Sequence, residues 1–159
     1  METSTPLIME KTTEKNTAAF THLSTLSQYI IPFGNYIFPL IIWTSYKDKS
    51  EFTDHHGKQA LNFQLSLLLY TLILALIAIP IFVTVVLQNL PIEAIINDED
   101  FVIRNFNFEG NIGLLSIGAT AVLLFGVLKF VEFFLVIYAS IKASNGELYK
   151  YPLTIPFIK

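Results

Sequence analysis

Hydrophobic and polar positions in this chain are sorted into long blocks, with no short repeating pattern. Residues 16–46, 59–92 and 110–128 carry no formal charge, and the last block resumes beyond Lys129 and Glu132 to about residue 141. Within 59–92 most positions are Leu, Ile, Val, Ala or Phe. The hydrocarbon core of a bilayer is about 30 Å thick and is crossed by roughly 20 apolar residues in a helix, so the second and third blocks are long enough to span it. Inside lipid every backbone N–H and C=O must be bonded within its own segment, which makes these blocks helices. The pattern predicts two long antiparallel transmembrane helices, over residues 53–90 and 111–143, joined by an outer loop over 91–110. The first begins near Thr53, where Thr53 or Asp54 can cap the free N–H groups. At ~1.5 Å per residue it exceeds about 50 Å, so its first turns sit at or above the interface. Pro80 is expected to kink it.

The N-terminal block is interrupted. Ile31-Pro-Phe-Gly-Asn35 puts Pro32 and Gly34 close together, and Pro39 follows. Pro removes a helix hydrogen bond and Gly weakens the helix, so two half-helices are predicted, over 18–31 and 35–46. Each is near 20 Å at ~1.5 Å per residue, short for a span. They form either one kinked span or a hairpin that enters and leaves on one side. Residues 1–17 read as a mobile polar tail without the basic start and apolar core of a cleavable signal peptide. Residues 146–159 read as an extended tail. The fold class is therefore an all-α polytopic membrane bundle of four helical segments, within a single membrane domain over 18–145.

Composition agrees: the chain is 53% hydrophobic and only 14% charged, against roughly 25% charged in soluble domains. At 159 residues there is room for one small bundle and no separate soluble domain. A net charge of −3 implies no nucleic-acid partner. The absence of cysteine excludes disulfides, thiol catalysis and Cys-based metal sites. Lys47, Lys49 and Lys58 flank the first long helix, and Lys142, Lys150 and Lys159 follow the second. The connection from Glu93 to Glu109 carries five acidic residues and only Arg104. By the positive-inside rule the Lys-bearing segments are cytoplasmic and the acidic loop is outside. The C-terminus is then cytoplasmic. Lys11 and Lys15 place the N-terminus there too, which favours the hairpin.

Three groups of residues are candidates for chemistry. His55, Gln59, Asn62, Ser66 and Tyr70 recur at spacings of four, three, four and four, which puts them on one helix face. Such a stripe faces protein or water, as interhelical hydrogen bonding or as the lining of a path for a polar solute. His22, Asp54, His56 and Lys58 form a candidate polar mouth at the cytoplasmic end. Adjacent His55 and His56 diverge by about 100° and do not make a chelating pair, so no metal is expected. Lys129 and Glu132, three apart inside the second long helix, can neutralise each other as an ion pair, structural or functional. No phosphate-binding loop, nucleophile elbow, paired carboxylates or metalloprotease helix appears. Neither an enzyme nor a cofactor is expected.

The order His22-Leu-Ser, then Ile31-Pro-Phe-Gly-Asn-Tyr-Ile-Phe-Pro-Leu-Ile-Ile-Trp43, then Asp54-His-His-Gly-Lys-Gln-Ala-Leu-Asn-Phe-Gln64 resembles the Tic-Twenty-like family of small bacterial membrane proteins, as does the tail from Ile141 to Ile158. The resemblance covers about positions 20–88 and 135–158. It implies a bacterial cytoplasmic (inner) membrane protein with remote kinship to a four-helix subunit of the chloroplast inner-envelope import translocon. On this reading the chain is a non-enzymatic subunit or accessory factor of a membrane translocation or assembly complex. Its partners would be the lipid bilayer and other membrane subunits or further copies of itself. The alternative is a small oligomeric channel or carrier for a polar solute or ion.

Overall fold

The computed structural model describes residues 4–89 and 108–159. Its elements are α1 (Ser4–Ser24), a 3₁₀ turn (Thr25–Tyr29), α2 (Gly34–Tyr46), α3 (Glu51–Asn89) and α4 (Phe108–Asn145), with no strand among the described residues. The all-helical expectation of two long helices and an N-terminal helical pair is met. The acidic connection lies outside the described residues, apart from its last three positions at the start of α4. α3 and α4 are both long and apolar enough to cross a membrane, over Glu51–Val85 and Gly110–Asn145.

Local chemistry accounts for the boundaries. α1 starts at Ser4, inside the stretch read as a mobile tail. Leu, Met, Glu, Lys and Ala there favour helix, and a proline at position 6 falls in a first turn, where a missing N–H is harmless. The other end of α1 is rich in hydroxyls that bond back to the chain. Thr21 donates to the Thr17 carbonyl at 2.8 Å, Ser24 to Thr21 at 2.7 Å, Thr25 to His22 at 2.8 Å and Ser27 to Ser24 at 2.6 Å. Such bonds compete with the helical ladder, and here the last turn tightens to 3₁₀. Pro32 then ends it, and the chain reverses through Phe33 at φ 62° before α2 begins. α3 starts at Glu51, ahead of the expected Thr53. The Thr53 hydroxyl does not cap; it donates to the Tyr46 and Ser50 carbonyls. α3 runs on through Pro80. α4 stops at Gly146, whose φ of +82° lets its N–H reach the Ala143 carbonyl while Glu147 N–H reaches Lys142, at 2.9 and 3.0 Å. That is a Schellman ending, and glycine supplies its left-handed residue.

The chain divides into two compact units, residues 1–69 with 129–159 and residues 70–128. In the first, α1 and α2 pack on each other as a helical hairpin. Three bonds set α1 and the 3₁₀ turn against their neighbours: from α1, Lys15 Nζ to the Asn145 carbonyl and His22 to His56, and from the turn, Gln28 to Glu132. Two more tie α2 to α3, Asn35 to Gln64 and Trp43 to Asp54. Small residues allow this closeness: Ala18 and Ala19 of α1 meet Ala143, with Phe52 against them. A methyl on Gly57 would overlap the Trp43 ring. Inside the unit a polar cluster is packed among small and apolar residues, and many large apolar side chains face outward. Thr21, His22, Thr25, Asn35, His56, Asn62, Gln64, Ser66 and Glu132 are buried, whereas Phe20, Ile30, Phe33, Ile37 and Ile41 are exposed. In the second unit, aliphatic side chains line an open groove of about 450 Å³ that includes Ala78, Ile81, Val85, Leu115, Gly118 and Val122.

Candidate functional site

The α3 stripe meets the chain's own C-terminal tail, residues 146–159. His55 Nε2–H donates to the Tyr149 carbonyl at 3.1 Å, and the Tyr151 N–H donates to Gln59 Oε1 at 3.2 Å. The Ile155 N–H donates to Ser66 Oγ at 2.8 Å, and Ser66 passes its own proton to the Asn62 carbonyl at 2.7 Å. Asn62 holds Ile158 by both sides of its backbone: Nδ2–H to the carbonyl at 2.9 Å, and Oδ1 from the N–H at 2.8 Å. The tail climbs α3 from His55 to Ser66, about 16 Å at ~1.5 Å per residue, and then returns to Asn62. Leu153, at φ 57°, lies on the way to that reversal. These bonds satisfy main-chain groups that helix or sheet would otherwise satisfy. Tyr70, half-buried, falls in the other unit.

Beneath the tail lies a buried relay. Tyr151 Oη is 2.9 Å from His22 Nδ1, and His22 Nε2 is 2.8 Å from His56 Nδ1. The Tyr151 ring stacks on Phe63 with centroids 4.0 Å apart and planes within 5°. All four side chains are buried. His56 Nε2 makes no hydrogen bond. Each ring nitrogen of a neutral histidine either donates or accepts, so Tyr151, His22 and His56 form one hydrogen-bonded chain. Burial, followed by the neighbouring His56 and His55, holds His22 well below the ordinary histidine value, and burial first, then Tyr149 and Glu132, pushes the Tyr151 phenol well above its own. Both groups are neutral at physiological pH. His22 bridges its neighbours through opposite ring nitrogens, a geometry that relays but does not chelate. No group of three or more His, Asp or Glu side chains able to hold a metal occurs among the described residues.

The expected mouth therefore divides. His22 and His56 join the relay, while Asp54 and Lys58 form a separate cluster with Trp43. Lys58 Nζ lies 2.6 Å from Asp54 Oδ2, and the Trp43 indole N–H donates to Asp54 Oδ1 at 2.9 Å. Glu132 and Lys129 are together, but not alone. Lys129 Nζ donates to Glu132 Oε2 at 2.8 Å and to Gln28 Oε1 at 3.1 Å, and Gln28 Nε2–H donates to Glu132 Oε1 at 2.7 Å. The three side chains close a ring around a fully buried carboxylate. Sequence reasoning missed Gln28, Tyr151 and the tail backbone. Each sits about ninety or more positions from its partner, and no periodicity connects them.

A helical unit with a buried polar cluster and large apolar side chains facing outward, together with two helices of spanning length, defines the class, a polytopic helical membrane protein. Residues 13–158 match the MamF/MmsF family, the magnetosome magnetite crystal formation protein family, and the chain belongs to it. This corrects the resemblance to the Tic-Twenty-like family, and the kinship with an import translocon falls with it. No curated protein and no solved structure matches the chain.

Proposed function

We propose that this chain is a non-enzymatic accessory protein of the membrane within which magnetite crystals grow. The observation that carries the reading, beside family membership, is that His55, Gln59, Asn62 and Ser66 are bonded to the tail, and His22, Gln28 and Glu132 to other side chains of the first unit. The tail lies along the α3 stripe from His55 to Ser66. A channel or carrier would need that stripe uncovered. The relay and the buried carboxylate ring hold the bundle together, and α3 and α4 anchor it in the bilayer.

The lysine distribution puts the tail and the open end of the hairpin on the cytoplasmic face. The acidic connection is then on the opposite face of the membrane. By sequence Glu93, Asp98, Glu99 and Asp100 of that connection carry carboxylates, the ligand type that hard cations and oxide surfaces accept. The substrate at that face is iron or the growing crystal surface. Family members or further copies of the chain are its partners in the membrane.

The test uses a magnetite-forming cell from which the gene has been deleted. Tagged chain supplied back should be recovered with magnetically captured vesicles, and electron microscopy should show crystal size restored. A variant carrying Glu93→Gln, Asp98→Asn, Glu99→Gln and Asp100→Asn should reach the same vesicles and leave the crystals small or irregular. Crystals unchanged by the deletion would overturn the proposal.

A further inference from the structure

We infer that the α1–α2 hairpin is a half-membrane element, solvated on its outside by the acyl chains of one leaflet, which enters and leaves on the side of the C-terminal tail. The inference rests on the membrane reading above and adds a lipid-contact surface that neither spanning helix includes.

Three observations carry it. First, the hairpin is inverted relative to a water-soluble element. Its inward groups are Thr21, His22, Thr25, Asn35 and, half-buried, Gln28, whereas its outward face carries Phe20, Ile37, Phe38, Leu40 and Ile41. Exposure peaks at the tip, with Ile30 85% and Phe33 70% exposed beside Tyr29 and Ile31. Water would penalise such a tip, and hydrocarbon does not. Second, the open end carries an interfacial ring. Lys47 Nζ lies 5.3 Å from the Trp43 ring centre, Lys49 4.4 Å from Tyr46, and, on α4, Lys142 5.7 Å from Tyr138. Aromatic rings beside snorkelling lysines mark a membrane–water boundary. Third, the depth fits. From Trp43 to Phe33 the chain runs ten residues, about 15 Å at ~1.5 Å per residue, which is half of a hydrocarbon core about 30 Å thick.

The polar interior explains how a broken helix is tolerated at that depth. Irregular backbone survives inside a membrane only where protein or water covers it. At the level of the break, Asn35 bonds Gln64, and Gln28 bonds Glu132. The reversal is thus backed by polar partners on α3 and α4 and presents Tyr29, Ile30, Ile31 and Phe33 outward.

The chain contains no cysteine, so single cysteines can be read one at a time in vesicles holding the full-length protein. The variants are Ile30→Cys and Phe33→Cys at the tip, Ser45→Cys and Lys150→Cys at the open end and tail, and Leu76→Cys, 75% exposed in α3. A membrane-impermeant maleimide is added outside, or outside and inside after permeabilisation. Expected is labelling of Ser45→Cys and Lys150→Cys from one and the same side. The tip cysteines should label at least about tenfold less from either side, and react fully once detergent dissolves the bilayer. A tip labelled from the tail side would make the hairpin a surface element. A tip labelled from the opposite side would make it a kinked span. Either overturns the inference. Leu76→Cys separates the two readings: labelling there from water defeats the membrane reading itself, whereas protection there with a labelled tip defeats the hairpin alone.

Discussion

Asn62→Leu tests whether the α3 stripe exists to hold the tail. The substitution keeps the number and branching of side-chain heavy atoms and removes both bonds to Ile158, 2.9 and 2.8 Å long. If the freed N–H and C=O stayed buried and unpaired, the loss would be about 1–3 kcal/mol for each group, or about 2–6 kcal/mol in all. Ile158 is only half-buried, so its groups can lift off and bond water instead. The loss is then the net worth of two neutral hydrogen bonds, about 1–3 kcal/mol. The cheaper route wins, and the tail end detaches while the bundle stays folded. Amide hydrogen exchange on protein in nanodiscs reads this directly. Exchange at Ile158 should accelerate about 5- to 150-fold, since 1.4 kcal/mol is a factor of ten. Ile155, still held by Ser66, should accelerate less, and the α3 amides near Asn62 should not change. Unchanged exchange at Ile158 would refute the reasoning. So would equal acceleration throughout α3, which would make Asn62 a packing residue of the bundle.

Gly57→Ala should be destabilising by about 1–3 kcal/mol, as overpacking is in close contacts. The added methyl meets the Trp43 ring, so a blue-shifted or quenched emission from this single tryptophan should accompany a lower melting temperature in detergent. Lys129→Met leaves the buried Glu132 carboxylate with Gln28 as its one partner of the ring, and stripping a buried charge of its counter-ion costs about 3–5 kcal/mol. Adding Glu132→Gln should recover part of that loss in thermal unfolding, and a double variant no more stable than the single would sink the assignment. Acid should loosen the bundle through His22, whose surroundings include His55, His56, Tyr149 and Tyr151 and, near it, no carboxylate bonded to the ring. Its pKa is lowered in the fold, so the unfolded chain binds the proton more readily. The stability it contributes is full above the ordinary value of 6.5 and is lost as pH falls below it, by at most about 1.4 kcal/mol per pH unit. Tryptic cleavage at Lys150 should therefore rise between pH 7.5 and 5, and His22→Gln should flatten that profile; a flat profile in the unaltered chain would refute it.

What could be read from the sequence was decided by the range of the interactions involved. The two long helices follow from charge-free blocks, a local property. The α3 stripe is also local, visible as spacings of three and four. Its partner is not: His55, Gln59, Asn62 and Ser66 bond main-chain atoms of the tail, and any residue type can offer those atoms. The sequence therefore predicts an extended tail without showing that it runs along α3. The Lys129–Glu132 pair is legible because three residues separate it, whereas Gln28 joins from across the bundle. The α1 helix was missed at its start because a polar, mixed-charge segment carries no apolar periodicity, although its individual residues favour helix. The break after Tyr29 was legible from Pro32 and Gly34, whereas the packing of α1 on α2 is a tertiary contact that no local pattern encodes.

The tail contacts also impose an order on biosynthesis. His55, Gln59, Asn62 and Ser66 reach partners 89 to 96 positions further along. At roughly 5–20 residues per second, α3 leaves the ribosome about 5–20 s before the segment that satisfies it. During that interval its polar face must remain hydrated or be shielded by the insertion machinery. The last fourteen or so residues therefore close the molecule, and a ribosome stalled short of them would leave in the membrane a helix whose polar face has no partner, a ready signal for quality-control proteases.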